Sequence, residues 1–391
     1  MENNKRFLWV LLAFVAFSLL FINKALHIDD PFTVTIAKAI GGHCINVPKT
    51  YQGNRIFMDQ VYDNPILLGY YYAPIVSLFG EKEAWLHLFF LPFPLIAIIA
   101  MYILSRRFSN SSLLVTICLF VTPAFIVMSQ TIMLDTPLLA FFLSALAAFI
   151  LGVDKDNKKL LFLSGILAAV ASLIKYSGLL VILTMFIYAF TTPKKRYSLF
   201  LLIPLFIFSL WCVHNFIFYK QIYFLVAVLT KAKEFSLNPI PYRVFACLSF
   251  ISGTSIISVF LIPYLLDKKI NRSLLALSST VGLSPFLLKD YFMVHDKMAK
   301  DVIINGYGTV EKVILAFLFI SSFFIILVIL KNCALYFLKN QRNKDSLFLS
   351  LWFILILAFC IFIQSVTARF ILLLFPPMLL LIFRELRSNK E

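Results

Sequence analysis

The sequence predicts an all-α polytopic membrane protein of about twelve transmembrane helices, with amphipathic juxtamembrane helices in the first outer loop. Three observations predict it. Of 391 residues, 61% are hydrophobic and only 14% charged, whereas a soluble domain is roughly half apolar and a quarter charged. A chain so poor in polar surface cannot cover itself in water, so lipid is its solvent. The apolar residues fall in runs near the length that crosses a bilayer, about 20 residues at 1.5 Å rise each. The basic residues sit in short clusters between those runs. The net charge of +16 therefore reports topology, and no nucleic-acid partner is expected.

The runs lie near 7–23, 85–104, 112–130, 133–152, 160–175, 177–192, 198–218, 244–266, 273–289, 312–331, 347–364 and 369–383. The first follows Lys5 and Arg6 and is not succeeded by a small-x-small cleavage site, so it reads as an uncleaved span rather than a signal peptide. The pairs covering 112–152 and 160–192 read as tight hairpins. All twelve belong to one membrane-embedded domain, 1–391, with 24–84 as its extracytoplasmic first loop.

Charge sets the orientation. With the N-terminus inside, the inner connections and tails hold 20 Lys and Arg against 7 Asp and Glu, and the outer ones hold 15 against 12. Arg106-Arg107, Lys194-Lys195-Arg196 and Lys268-Lys269 all fall inside, as the positive-inside rule requires. The expected location is the cell membrane, multi-pass, with both termini cytoplasmic.

The acids have the opposite distribution. The loop 24–84 holds Asp29, Asp30, Asp59, Asp63, Glu81 and Glu83. Within it, 31–40 and 65–79 read as amphipathic helices at the interface. Pro31 and Pro65 suit a first helical turn, Asp30 and Asn64 can serve as caps before them, and Gly41-Gly42 is a natural stop. A cap needs one carboxylate, which leaves Asp29 over. Adjacent carboxylates at a lipid–water boundary raise the pKa of at least one of them, and such a group can accept a proton from an attacking hydroxyl.

Asp135 lies in SQTIMLDTP, an outer turn between two very apolar spans. It either faces a polar cavity or caps the next helix. Lys175, in SLIKYSG, is a lone base at an outer hairpin turn, and Arg369, in TARFILLLFPP, opens the last span from outside. Both can snorkel to headgroups; together they can also hold a lipid phosphate, Arg by a bidentate fork and Lys as a point charge. His27 and His43 lack ligand spacing, so no metal site is assigned, and the need for a divalent cation stays open. Phosphate-binding and hydrolase-type glycine motifs are absent, which argues against nucleotide chemistry in the cytoplasm.

Five stretches then resemble the GT-C superfamily of membrane glycosyltransferases, in the branch of protein O-mannosyltransferases and the lipid A aminoarabinose transferase. They are HIDDPFTVTIAKAIGGHCINVP from His27, YDNPILLGYYYAPIVSLFG from Tyr62, TIMLDTPLLAFF from Thr131, LAAVASLIKYSGLL from Leu167 and ARFILLLFPP from Ala368. The resemblance implies transfer of a hexosyl or pentosyl group from a polyprenyl-phosphate-linked sugar to a glycan, lipid or protein acceptor. It makes Asp29 the catalytic base, Asp30 the second acid of that pair and Asp135 a further acid of the polar site. Lys175 and Arg369 would hold the donor phosphate, and Asp63 and Asn64 would orient the acceptor or a cation. Three positions depart from the family pattern: Asn64 replaces a basic residue, Ile66 replaces the second of two prolines, and Phe32 stands where an Arg is frequent. Two other readings of the same chain are a multi-span transporter and a non-catalytic envelope-assembly protein. The transporter is disfavoured because the two halves show no matching hydropathy and the acids gather at a boundary rather than the midplane.

Overall fold

Long apolar segments that must satisfy their own backbone in lipid become helices, and the computed structural model is built of helices joined by turns and short irregular stretches over the residues it describes: 2–27, 30–42, 64–192, 195–233, 240–254, 260–266, 269–287, 309–338, 343–362, 367 and 369–388. The chain is an all-α, multi-pass membrane protein. Its contacts divide it into two compact units. One contains residues 1–107, 112–121 and 125–233; the other contains 108–111, 122–124 and 234–391.

The first unit opens with α1 (Glu2–Leu19), followed by α2 (Asp30–Gly42), α3 (Leu67–Phe79), α4 (Glu83–Phe90) and α5 (Pro92–Phe108). After α6 (Ser112–Phe120) and α7 (Pro123–Ser129) come α8 (Asp135–Asp154), α9 (Lys158–Ile174) and α10 (Leu180–Thr191). It ends with α11 (Leu202–Tyr219) and α12 (Tyr223–Lys233). The two helices expected in the first loop are α2 and α3, and they pack on each other. Val34, Ala37 and Ile40 of α2 and Leu68, Tyr72 and Ile75 of α3 are buried, as the apolar stripe of an amphipathic helix should be. Gly69 permits the contact, because a Cβ there would collide with Ile36.

Helix α8 is the core of this unit, with 16 of its 20 residues buried. It forms an antiparallel hairpin with α9, whose first turn is capped by the Asn157 side chain accepting from the Lys159 and Leu160 amides at 3.0 and 3.2 Å. Helix α11 packs on α9 along one face. On its other face Leu202, Phe206, Val213 and Ile217 are each more than half exposed, a surface suited to acyl chains and not to water.

The second unit contains the helices Ile240–Gly253, Lys269–Leu287, Thr309–Leu338, Lys344–Phe362 and Phe375–Ser388. Ser322 stitches two of them together, its hydroxyl donating to the Leu248 carbonyl at 2.5 Å and lying 2.7 Å from the Ser252 hydroxyl. Such polar bonds between helices are a common device in lipid. Lys331 is buried and held by Asn271 at 2.8 Å and Glu385 at 2.9 Å.

Each of the twelve apolar runs meets helix, but fewer of those helices are long and unbroken. Among the described residues, five helical stretches suffice by length and composition to cross a membrane: Glu83–Phe108, Asp135–Asp154, Lys195–Tyr219, Ala316–Tyr336 and Lys344–Phe362. A sixth arises if α6 and α7, bent by 64°, count as one. The bend falls at Thr122 and Pro123, where proline removes a helical hydrogen bond and restricts the residue before it. The expected run 177–192 is shortened differently, since it begins as a 3-10 turn, Tyr176–Leu179.

Candidate functional site

Helix α2 brings Asp30 down onto the turn before α8. Asp30 is completely buried in the first turn of α2. Its Oδ2 accepts from the His27 amide at 2.8 Å, while the Asp30 amide donates to the His27 carbonyl at 2.6 Å. Asp30 thus reaches backward along the chain instead of capping its own helix. Among the described residues no hydrogen-bond donor reaches its buried Oδ1. Burial pushes the Asp30 carboxyl above the ordinary carboxylate range, against the pull of the His27 amide, the Lys24 ammonium, His87 and, more weakly, the Ile132 backbone. Thr33, one turn further along α2, donates to the Ile132 carbonyl at 3.4 Å. The acid-bearing end of α2 therefore rests on the turn that leads, three residues later, to Asp135.

Asp135 is the first residue of α8 and makes no capping bond there. Its Oδ1 instead accepts from Lys175 Nζ at 2.7 Å, with both side chains buried. Lys175 does not snorkel. It occupies the break between α9 and the 3-10 turn, in extended backbone, which turns its side chain away from the helical path. Its carbonyl accepts from the Gly178 amide at 2.7 Å. A Cβ on Gly178 would run into the Ala171 carbonyl, so glycine keeps this break closed. Gly178→Ala is expected to lower stability by about 1–3 kcal/mol through overpacking, read as a drop in thermal unfolding temperature of the purified protein.

Two cations and a histidine absent from the sequence reading belong to the same region or its partner unit. Lys24 Nζ donates to the Gln130 carbonyl at 3.1 Å, and burial pulls its ammonium below the ordinary lysine range while Asp30 opposes that shift. His87 on α4 lies 2.9 Å, through Nε2, from the Lys24 carbonyl. In the second unit, Arg384 donates to Asn343 at 3.0 Å and Ser346 at 3.2 Å. No sequence motif marks any of these bonds, since the acceptors are mostly backbone or short polar side chains.

The remaining expected residues are placed as follows. Asn64 is half-buried in a bend, and α3 begins only at Leu67, without a side-chain cap, so Asn64 does not cap it. Arg369 lies in the second unit, just before the 3-10 turn Phe370–Leu374, with its guanidinium 5.4 Å from the Phe370 ring centre. Asp29 and Asp63 lie outside the described residues. Among the described residues no three His, Cys, Asp or Glu side chains gather into a cation site.

Residues 63–219 match the family of dolichyl-phosphate-mannose-protein mannosyltransferases. The match covers less than half of the chain. The matched stretch contains Asn64, Asp135 and Lys175, and ends at the close of α11. At the level of whole folds the chain aligns with ArnT from Cupriavidus metallidurans bound to undecaprenyl phosphate. That alignment has a TM-score of 0.49 and 13% identity, and covers 98% of this chain and 78% of the other. The apo state of the same protein aligns with a TM-score of 0.47 and 16% identity, over 97% and 75% of the two chains. The chain matches no curated protein at the sequence level.

Proposed function

We propose that this chain is a GT-C-type glycosyltransferase that moves a hexosyl or pentosyl group from a polyprenyl-phosphate carrier to an extracytoplasmic glycan, lipid or protein, in a single displacement that inverts the anomeric carbon. The observation that carries the reading is the buried Asp135–Lys175 pair at 2.7 Å, inside the stretch that matches the mannosyltransferase family. A buried ion pair adds little net stability over apolar packing, and in a membrane protein ionisable residues off the surface mark working sites.

In this mechanism Asp29 takes the proton of the acceptor hydroxyl, with Asp30 as the second acid beside it. The acceptor oxygen attacks the anomeric carbon, and the bond from that carbon to the phosphate oxygen breaks with its electron pair. Polyprenyl phosphate leaves, and charge stabilisation alone suffices because phosphate needs no proton to depart. Lys175 supplies a point charge for that phosphate, with Asp135 holding the ammonium in place beforehand, and Arg369 supplies a fork. Asp63 and Asn64 orient the acceptor or a cation. Helices α2 and α3 roof the site on the outer face, with both termini in the cytoplasm, and keep water from competing with the acceptor.

The test is transfer from a panel of radiolabelled undecaprenyl-phosphate sugars by the purified full chain in liposomes. Label should leave the undecaprenyl phosphate and appear on an added acceptor, and no sugar should be carried across the vesicle when the lipid-linked donor is omitted. Arg369→Ala should raise the donor KM by about tenfold or more, as loss of a charge-assisted fork implies. An unchanged donor KM would remove Arg369 from the donor site.

A further inference from the structure

The Lys24 side chain and backbone join three separate pieces of the first unit. Its carbonyl faces His87 Nε2 on α4 at 2.9 Å. A carbonyl oxygen only accepts, so Nε2 carries the proton and donates. Its ammonium reaches the Gln130 carbonyl at 3.1 Å, at the start of the turn that runs to Asp135. Gln130 is itself fixed, its Nε2 donating to Ser18 on α1 and to Ser129, both at 3.1 Å. Six residues beyond Lys24, Asp30 is closed back on His27 by two hydrogen bonds. On the other side of His87, the Tyr72 hydroxyl from α3 donates to the Leu86 carbonyl at 3.1 Å. His87 and Lys24 are both surplus to span-building: His87 is buried in an apolar helix, and the half-buried Lys24 spends its ammonium on a backbone carbonyl 106 residues away.

We infer that Lys24 and His87 are positioning residues, a two-point latch that holds the stretch from Lys24 to His27, and with it Asp30 at the start of α2, against the turn before Asp135. The latch rests on the reading of the acidic pair Asp29 and Asp30 as the proton acceptor. Neither residue touches the reacting atoms; they act through the register of the segment they pin. Lys24 also places a fixed positive charge near Asp30, so the same side chain sets both position and field.

The experiment uses the full chain in nanodiscs and two readouts. Hydrogen exchange at the amides of 24–27 and 30–35, and of 129–135, reports the latch without any ligand. Lys24→Met should speed exchange in both stretches together by roughly tenfold, as loss of a charge-assisted bond implies. Lys24→Arg, which still reaches a carbonyl, should not. His87→Ala should speed exchange in 24–27, and His87→Gln, which keeps an N–H donor, should restore it. With the undecaprenyl-phosphate sugar panel, Lys24→Met should lower kcat by about 10–100-fold, the range expected when a catalytic group is misplaced by an ångström, with donor KM held within about twofold. Unchanged exchange in Lys24→Met and His87→Ala overturns the latch. Faster exchange with unchanged kcat overturns its role in transfer, and locates the error in the assignment of the acidic pair, since the latch itself has then been seen to open.

Discussion

Asp29→Asn is expected to lower kcat by about a hundred- to ten-thousand-fold, the usual worth of a positioned general base, while donor KM changes little. The expectation follows from the chemistry of the leaving group. Phosphate departs without an acid, so the only proton that must move belongs to the acceptor. Asp30→Asn separates the members of the pair. Burial raises the Asp30 carboxyl above the ordinary range, so wild-type kcat should fall with acidification at a midpoint above that of an ordinary carboxylate. In Asp30→Asn that limb should move or vanish, and the Asn Oδ1 can still accept from the His27 amide. Stability provides the control. A carboxyl raised in the folded state favours folding most below its unfolded value, and that contribution is lost as pH rises through the folded value. Asp30→Asn should therefore be no less stable than wild type at neutral pH. Loss of transfer with intact unfolding temperature identifies a chemical role, whereas wild-type rates in Asp29→Asn would assign the base elsewhere.

The helices of the first loop were legible because proline, glycine and apolar period agree there: α2 runs Asp30–Gly42 and α3 runs Leu67–Phe79. Hydropathy also located helix in every apolar run. It could not tell a straight span from a broken one, because hydropathy averaged over a span's length smooths over the very residues that break it. The 64° bend between α6 and α7 had one local sign, Pro123. The 3-10 start before α10 had another, Gly178, whose missing side chain is needed only because α9 and the turn close so tightly.

The site was legible in part for a similar reason. An acid or base in an apolar turn is conspicuous, which is how Asp135 and Lys175 stood out. That they pair is a fact of tertiary packing across 40 residues of chain, with no period or spacing to announce it. Lys24 and His87 were invisible for the converse reason. A lysine at the end of a span has an ordinary explanation in headgroup contact, and a bond to a backbone carbonyl can be made to any residue at all. The cap expected at Asn64 failed because α3 starts two residues past Pro65. Asp135 was the reverse: it is the first residue of α8, past the cap position at Leu134, and spends its carboxylate on Lys175.

The pair itself carries the other large effect. Lys175→Met leaves the Asp135 carboxylate buried beside apolar neighbours, and such orphaned charges cost about 3–5 kcal/mol; a marked fall in unfolding temperature is expected. The double variant Asp135→Leu, Lys175→Met removes both charges and fills their volume. Its stability should return to near the wild-type value or exceed it, since apolar packing replaces buried ion pairs at no net loss in many proteins. Transfer should not return. If the pair exists to present an ammonium to the departing phosphate, the stable double variant stays at least about a hundredfold below wild type in kcat, the scale of a lost electrostatic contact in the transition state. A double variant that is stable and fully active would make the pair a folding device alone, and the donor phosphate would have to be held by other cations. The comparison works because it sets stability and activity moving in opposite directions, which a merely structural ion pair cannot do.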